Sequence, residues 1–150
     1  MMTISAICSR EVITVHRDAT LLHAAMLMRQ YHVGDVVVVE DKKGKPAPVG
    51  IITDRDIVVE LVATELDCRV ITAGDIMGTH LVMINEDAGI LEAIQLMSSK
   101  GVRRLPVVDN EGGLLGIITL DNLFLLLVKE FGAFSKLVNR EQKNEATTRR

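Results

Sequence analysis

The sequence has no tryptophan, and its aromatic share is only 3%. A core without large rings has to be built from Val, Ile, Leu and Met. A surface without them offers no stacking platform for single-stranded nucleic acid. Positive charge is not in excess either, since the formal net charge is −3. Nucleic acids call for a basic face, so no nucleic-acid partner is expected, although a single nucleotide would need only local positive charge. The two cysteines, Cys8 and Cys68, form no CxxC and lie in no Cys/His cluster, which removes the paired ligand spacing of a zinc site. They read as reduced, packed thiols, and the expected compartment is cytoplasmic. His16, His23, His32 and His80 are scattered without ligand spacing, so no metal site is expected. The longest apolar run, Leu123 to Val128, is too short to cross a bilayer, and Met1 to Arg10 lacks the pattern of a secretory leader. A nucleophile–base pair and a Walker-type glycine loop are both missing, so no catalytic residue is assigned and the chain is not expected to be an enzyme.

What is present is a repeat. Asp18 to Val39 overlays Asp87 to Val108: Asp18-Ala19 on Asp87-Ala88, Leu27-Met28 on Leu96-Met97, Val38-Val39 on Val107-Val108. After a three-residue insertion in the first copy, Gly50-Ile51-Ile52-Thr53 falls on Gly116-Ile117-Ile118-Thr119. The insertion lies in Lys42 to Pro48, a Lys/Gly/Pro turn where length changes cost little.

Each copy reads as strand–helix–strand–strand–helix. Val12 to Val15 and Leu81 to Ile84 open the copies. Helices follow, capped by Thr20 or Asp18 in the first and by Asp87 in the second. Leu21, Ala24, Ala25 and Met28, and then Ile90, Ala93, Ile94 and Met97, keep helical spacing. The apolar runs Val36 to Glu40, Val49 to Thr53, Leu105 to Asp109 and Leu114 to Thr119 suggest strands covered on both faces. Closing helices begin at Asp54 and Leu120. One copy of about 60 residues is marginal alone, so the two are expected to pack sheet against sheet in an α/β fold, residual apolar helix surface driving dimerisation. The boundaries are residues 1–66 and 76–132 for the copies, 67–75 for the link between them, and 133–150 for a polar tail, expected to be a frayed helix end or disordered.

This order, with Gly50-Ile51-Ile52-Thr53-Asp54-Arg55-Asp56 and Gly116-Ile117-Ile118-Thr119-Leu120-Asp121-Asn122 closing the copies, resembles the cystathionine β-synthase (CBS) repeat and its Gly-x-x-Thr/Ser-x-x-Asp signature. Arg104-Leu105-Pro106-Val107-Val108-Asp109 is similar to the family's second strand. The resemblance runs from about Ile4 to Lys129. It implies two pseudo-symmetric repeats with clefts between them that hold AMP, ADP, ATP or S-adenosylmethionine in many members. It also implies a homodimer of four repeats, and a regulatory role toward a partner protein that the sequence leaves unidentified.

The resemblance points to Thr53, Arg55, Asp56, Arg103, Arg104, Thr119 and Asn122 as ligand-binding residues. A carboxylate at Asp56 can accept two hydrogen bonds from a ribose cis-diol, and Thr53 can donate to ribose or phosphate. The same spacing also makes a helix capping box without any ligand. Asn122 stands where the signature has Asp, and it offers one acceptor oxygen instead of two. Arg103 and Arg104 suit phosphate by bidentate hydrogen bonding, or are edge-strand charges. Gly34 and Asp35 hold their places in the first copy, where Asp35 would repel a phosphate unless magnesium bridged them. Arg55 is a third phosphate candidate, or a surface partner of Asp54 or Glu60. The leading reading is a sensor of an adenosyl ligand, and the alternative is a ligand-free dimeric scaffold.

Overall fold

Four consecutive valines, Val36 to Val39, have no polar face to offer solvent, and they form the middle of a strand buried on both sides. The computed structural model describes residues 2–149. In chain order the elements are α1 (Ile4–Ile7), β1 (Thr14–Val15), α2 (Leu21–Tyr31), β2 (Asp35–Lys42), β3 (Lys45–Thr53), α3 (Asp54–Ile57) running into a π-helical turn (Val58–Val62), α4 (Ala73–Ile76), β4 (Ile84–Asn85), α5 (Ile90–Lys100), β5 (Arg104–Val108), β6 (Leu114–Thr119) and α6 (Leu120–Thr148). They form two three-stranded sheets, ordered β1-β2-β3 and β4-β5-β6. In the first, β1 runs parallel to β2, and β2 is antiparallel to β3. The chain falls into two compact units, one ending at Ile118 and one beginning at Thr119, the latter being essentially α6.

Strand alternation divides β2 between two cores. Val36 and Val38 pack with Leu21, Ala24 and Met28 of α2, and with Ile52 and Leu61. Val37 and Val39 face the other way and meet Ile117 and Leu114 of the second sheet, with Ile51 and Val12 alongside. The two sheets therefore pack face to face, as the doubly apolar runs imply.

The β2–β3 hairpin is longer than the sequence suggests. Lys42 to Pro48 continues both strands around a two-residue turn at Lys43 and Gly44, both with positive φ (54° and 79°). That conformation matches strand twist and is easiest with glycine at the second position. Pro46 and Pro48 are tolerated because β3 is an edge strand. Val38 pairs with Gly50 and Val39 with Pro48, so Val49 is an extra, bulged residue.

Thr20 caps α2, its side chain accepting from the His23 N–H at 3.2 Å. Asp87 does not cap α5: the cap position is Gly89, with no side-chain bond, and the Asp87 carboxylate instead accepts from Asn110 Nδ2 at 3.5 Å. The closing helices start at Asp54 and Leu120. The polar residues after Asn139 stand in the last turns of α6, which reaches Thr148. Glu, Gln, Lys and Ala there are good helix formers, so a helix once nucleated continues through them.

The two copies exchange their opening segments. Ile4 donates its N–H to Ala88 O at 2.8 Å, and Ala73 donates to Ala19 O at 2.8 Å. Ile4 and Ala73 are equivalent in the repeat, as are Ala19 and Ala88. Each short helix thus packs on the other copy, and both residues are fully buried. Ser9 bridges to Ile117 of β6 in the same crossed manner. This reciprocity is a pseudo-twofold axis written in hydrogen bonds. It explains why a single repeat does not close its own core.

Candidate functional site

Gly50-Ile51-Ile52-Thr53 ends β3, and the chain turns directly into α3. Thr53 Oγ1 accepts the Asp56 N–H at 3.1 Å, and Asp56 Oδ2 accepts the Thr53 N–H at 2.8 Å. This is a reciprocal capping box, so the local reading of Thr53-x-x-Asp56 holds. The box uses one Asp56 oxygen and leaves Oδ1 available to a hydroxyl.

The register of the hairpin places Asp35 opposite Thr53, and Asp54 donates its N–H to Gly34 O at 2.9 Å. From the other copy Arg104 reaches this point, its Nε 2.6 Å from Asp35 Oδ2. A methyl group at Gly34 would stand 3.3 Å from Asp54 Oδ2 and 3.5 Å from Arg104 Nη2, so glycine leaves room for both. Asp35 and Arg104 occupy the same position of the two copies. Equivalent residues touch only beside the pseudo-twofold axis, so this ion pair marks it.

Asp35 titrates above the ordinary carboxylate range. Burial is the main cause, the attraction and hydrogen bond of Arg104 oppose it, and the nearby Asp54 charge adds to it. The sign follows: with a raised folded value, stability from this group falls as pH rises from the ordinary value through the raised one.

An open cleft begins at Arg104. It is lined by Ile51 of the first copy and by Gly78, His80, Leu81, Val82, Val102 and Arg104 of the second. Leu81, Val82, Val102 and Ile51 make its walls aliphatic, consistent with the scarcity of aromatics. Among the described residues no cluster of three or more His, Cys, Asp or Glu side chains is arranged to hold a metal.

At the head of α6 the second signature forms its own box. Thr119 N–H and Thr119 Oγ1 both donate to Asn122 Oδ1, at 3.0 and 2.9 Å, while Asn122 N–H donates to Thr119 Oγ1 at 3.2 Å. The one acceptor oxygen of Asn122 is engaged twice. An aspartate here would add a charge favourable to the helix N-terminus and a second oxygen. Asn122→Asp should therefore raise stability by about 0.3–1 kcal/mol, read as a salt-sensitive rise in Tm.

The family model of the CBS domain matches residues 4–63 and 73–129. The chain is a tandem pair of CBS domains. The pair is 37% identical over 81% of its length to an uncharacterized protein of Methanopyrus kandleri, of which it spans 61%. It is 34% identical to the CBS domain-containing protein YhcV of Bacillus subtilis, covering 96% of this chain and 99% of that one. Among solved structures, it is similar to the CBS domain pair of protein MJ0100 in complex with 5′-methylthioadenosine and S-adenosyl-L-methionine. There the TM-score is 0.74 and the identity 26%, covering 87% of this chain and 98% of that one. No described helix of the CBS pair is long and apolar enough to cross a membrane.

Of the residues singled out in the sequence, Asp56 closes the capping box on Thr53, Thr53 lies opposite Asp35, and Arg104 meets Asp35 from the other copy. Arg55 and Arg103 are exposed. Thr119 and Asn122 sit together at the head of α6. Sequence reasoning missed the cleft wall from Gly78 to Val82. Overlaying the opening segments would have exposed it, since Thr3 matches Thr72 and Cys8 matches Met77. It also missed a third capping box, Thr72 with Asp75, where Thr72 N–H donates to Asp75 Oδ2 at 2.9 Å.

Proposed function

We propose that this CBS pair is a non-catalytic sensor module that binds an adenosyl ligand between its repeats and signals to a partner protein. The Asp56 oxygen left outside the capping box, together with the open aliphatic cleft at Arg104 between the repeats, carries the reading. The ribose diol would donate to Asp56, with Thr53 beside it. The adenine would lie between Ile51 and the Leu81-Val82 wall, held by packing and backbone hydrogen bonds. The similarity to the MJ0100 pair with its two adenosyl ligands supports the same ligand class. The candidates are AMP, ADP, ATP and S-adenosylmethionine, with magnesium as a bridge where phosphates are present. Signalling requires that the ligand prefer one of two states of the module.

A second reading, a dimeric scaffold, is favoured by one observation. Phe124, Leu127, Phe131, Phe134 and Val138 are spaced three and four apart on α6, and all are exposed. Val58, Val59 and Val62 are exposed on the first copy's closing turn. A homodimer would cover such surface whether or not a nucleotide binds.

Thermal denaturation separates the readings. Protein stripped of carried-over nucleotide is tested with AMP, ADP, ATP, 5′-methylthioadenosine and S-adenosylmethionine, with and without magnesium. At about 100-fold over the dissociation constant the true ligand should add about 2.7 kcal/mol, several degrees in Tm. No shift with any of them would overturn the sensor reading in favour of the scaffold.

A further inference from the structure

We infer that the cleft at Arg104 selects adenosyl ligands with a neutral or cationic 5′ substituent, a thioether or a sulfonium, and turns away 5′-phosphates. The inference rests on the adenosyl reading of that cleft and adds its charge preference.

Arg104 is the cationic side chain that lines the cleft, and its charge is already engaged. Its Nε meets Asp35 at 2.6 Å. Its Nη2 edge faces the same small space beside Gly34 as Asp54 Oδ2. Asp35 and Asp54 thus stand beside one guanidinium, and the balance around Arg104 is negative. Arg55 and Arg103 are exposed and do not line the cleft.

A 5′-phosphate drawn to the Nη groups of Arg104 would compete with Asp35, already on Nε, for the same guanidinium charge. That carboxylate has a side chain only 18% exposed, so losing its partner would strand a charge with little water to take it up. A phosphate that left the pair intact would approach a guanidinium already flanked by Asp35 and Asp54, and like charges at an interface cost affinity. A thioether meets neither penalty, and a sulfonium is attracted. The repeat explains how the device arose: the two positions at the pseudo-twofold axis carry opposite charges and neutralise each other.

Isothermal titration at low salt tests this with AMP, 5′-methylthioadenosine and S-adenosylmethionine, which share the adenosine part. The wild-type protein should bind the two sulfur ligands at least about tenfold more tightly than AMP. Asp35→Asn, which frees the guanidinium without changing side-chain volume, should shift the AMP-to-methylthioadenosine affinity ratio toward AMP by at least about tenfold and weaken S-adenosylmethionine. AMP binding as tightly as methylthioadenosine to the wild-type protein would overturn the inference while leaving the adenosyl reading intact. That measurement needs no variant to fold. A ratio unchanged in folded Asp35→Asn would likewise overturn it. Failure of all three ligands to bind the wild-type protein would overturn the adenosyl reading, and this inference with it.

Discussion

Asp56→Ala is expected to abolish the ligand-dependent rise in Tm, whereas Asp75→Ala leaves that rise intact. The two aspartates have the same local job. Each sits at the third position of a short helix and accepts the backbone N–H of the capping threonine, at 2.8 Å from Thr53 and 2.9 Å from Thr72. Each loss removes a charge from a helix N-terminus, so both variants should be less stable without ligand; for Asp56 the cost is about 1 kcal/mol. Only Asp56 carries the proposed ribose contact. Its replacement should also remove the about 2.7 kcal/mol that a near-saturating ligand adds. The comparison isolates ligand binding from helix capping, the ambiguity that the Thr-x-x-Asp spacing leaves open. A ligand shift that survives in Asp56→Ala would move the ribose contact elsewhere.

The Asp75 variant has a second signature. The backbone and side-chain hydrogen bonds of Thr72 hold the Asp75 carboxyl below the ordinary carboxylate range. A depressed folded value means stability present above the unfolded value and lost as pH falls through the folded one. Asp75→Ala should therefore lower stability near neutrality and flatten the acid limb of a stability–pH profile recorded by urea denaturation, the difference from the wild-type protein shrinking as pH falls through the depressed Asp75 value.

Much of this arrangement is legible before any coordinate. The overlay of the two copies locates the strands, and the starts of the closing helices at Asp54 and Leu120 follow from the threonine that ends each last strand. Doubly apolar runs such as Val36 to Val39 require two covering layers, and the face-to-face sheets supply them. The lost information is of a particular kind. A four-residue helix such as α1 or α4 has too few residues to show a period, so the exchanged opening segments are silent. Their exchange supplies the cleft wall from Gly78 to Val82. The pairing of Asp35 with Arg104 was visible only as two different residues at equivalent positions. Symmetry predicts that some equivalent residues meet, but the sequence does not say where the axis runs. Polarity leaves the end of α6 open between a helix end and disorder, because it indicates exposure, not conformation. Lys, Glu and Gln are as compatible with an exposed helix as with a loose tail.

Gly116→Ala is expected to be among the most destabilising single substitutions in the chain, at about 3 kcal/mol. The glycine of the signature is usually read as part of a binding motif, yet here its surroundings define a packing constraint. An added Cβ would lie 2.5 Å from the Ser9 carbonyl oxygen and 2.9 Å from Cys8 Sγ. The obstacle is backbone, and that backbone is pinned: Ser9 and Ile117 exchange two N–H···O bonds at 2.9 Å. Relief would require the opening segment to lift from β6, breaking both bonds and loosening Ile4 in its fully buried seat on the other copy. The equivalent Gly50 provides the control. A Cβ there meets the Met77 side chain, its Sδ at 2.6 Å and its Cβ at 2.8 Å. A methionine can move its thioether to another rotamer, but its Cβ moves only with the backbone, so Gly50→Ala should cost about 2 kcal/mol, less than Gly116→Ala because no doubly bridged carbonyl is struck. Urea denaturation should show a larger fall in midpoint for Gly116→Ala than for Gly50→Ala, with unchanged slopes marking an effect on the folded state. Equal losses would mean that the Met77 side chain is as firmly held as the Ser9 bridge, and that the two crossed segments lock the repeats together with equal strength.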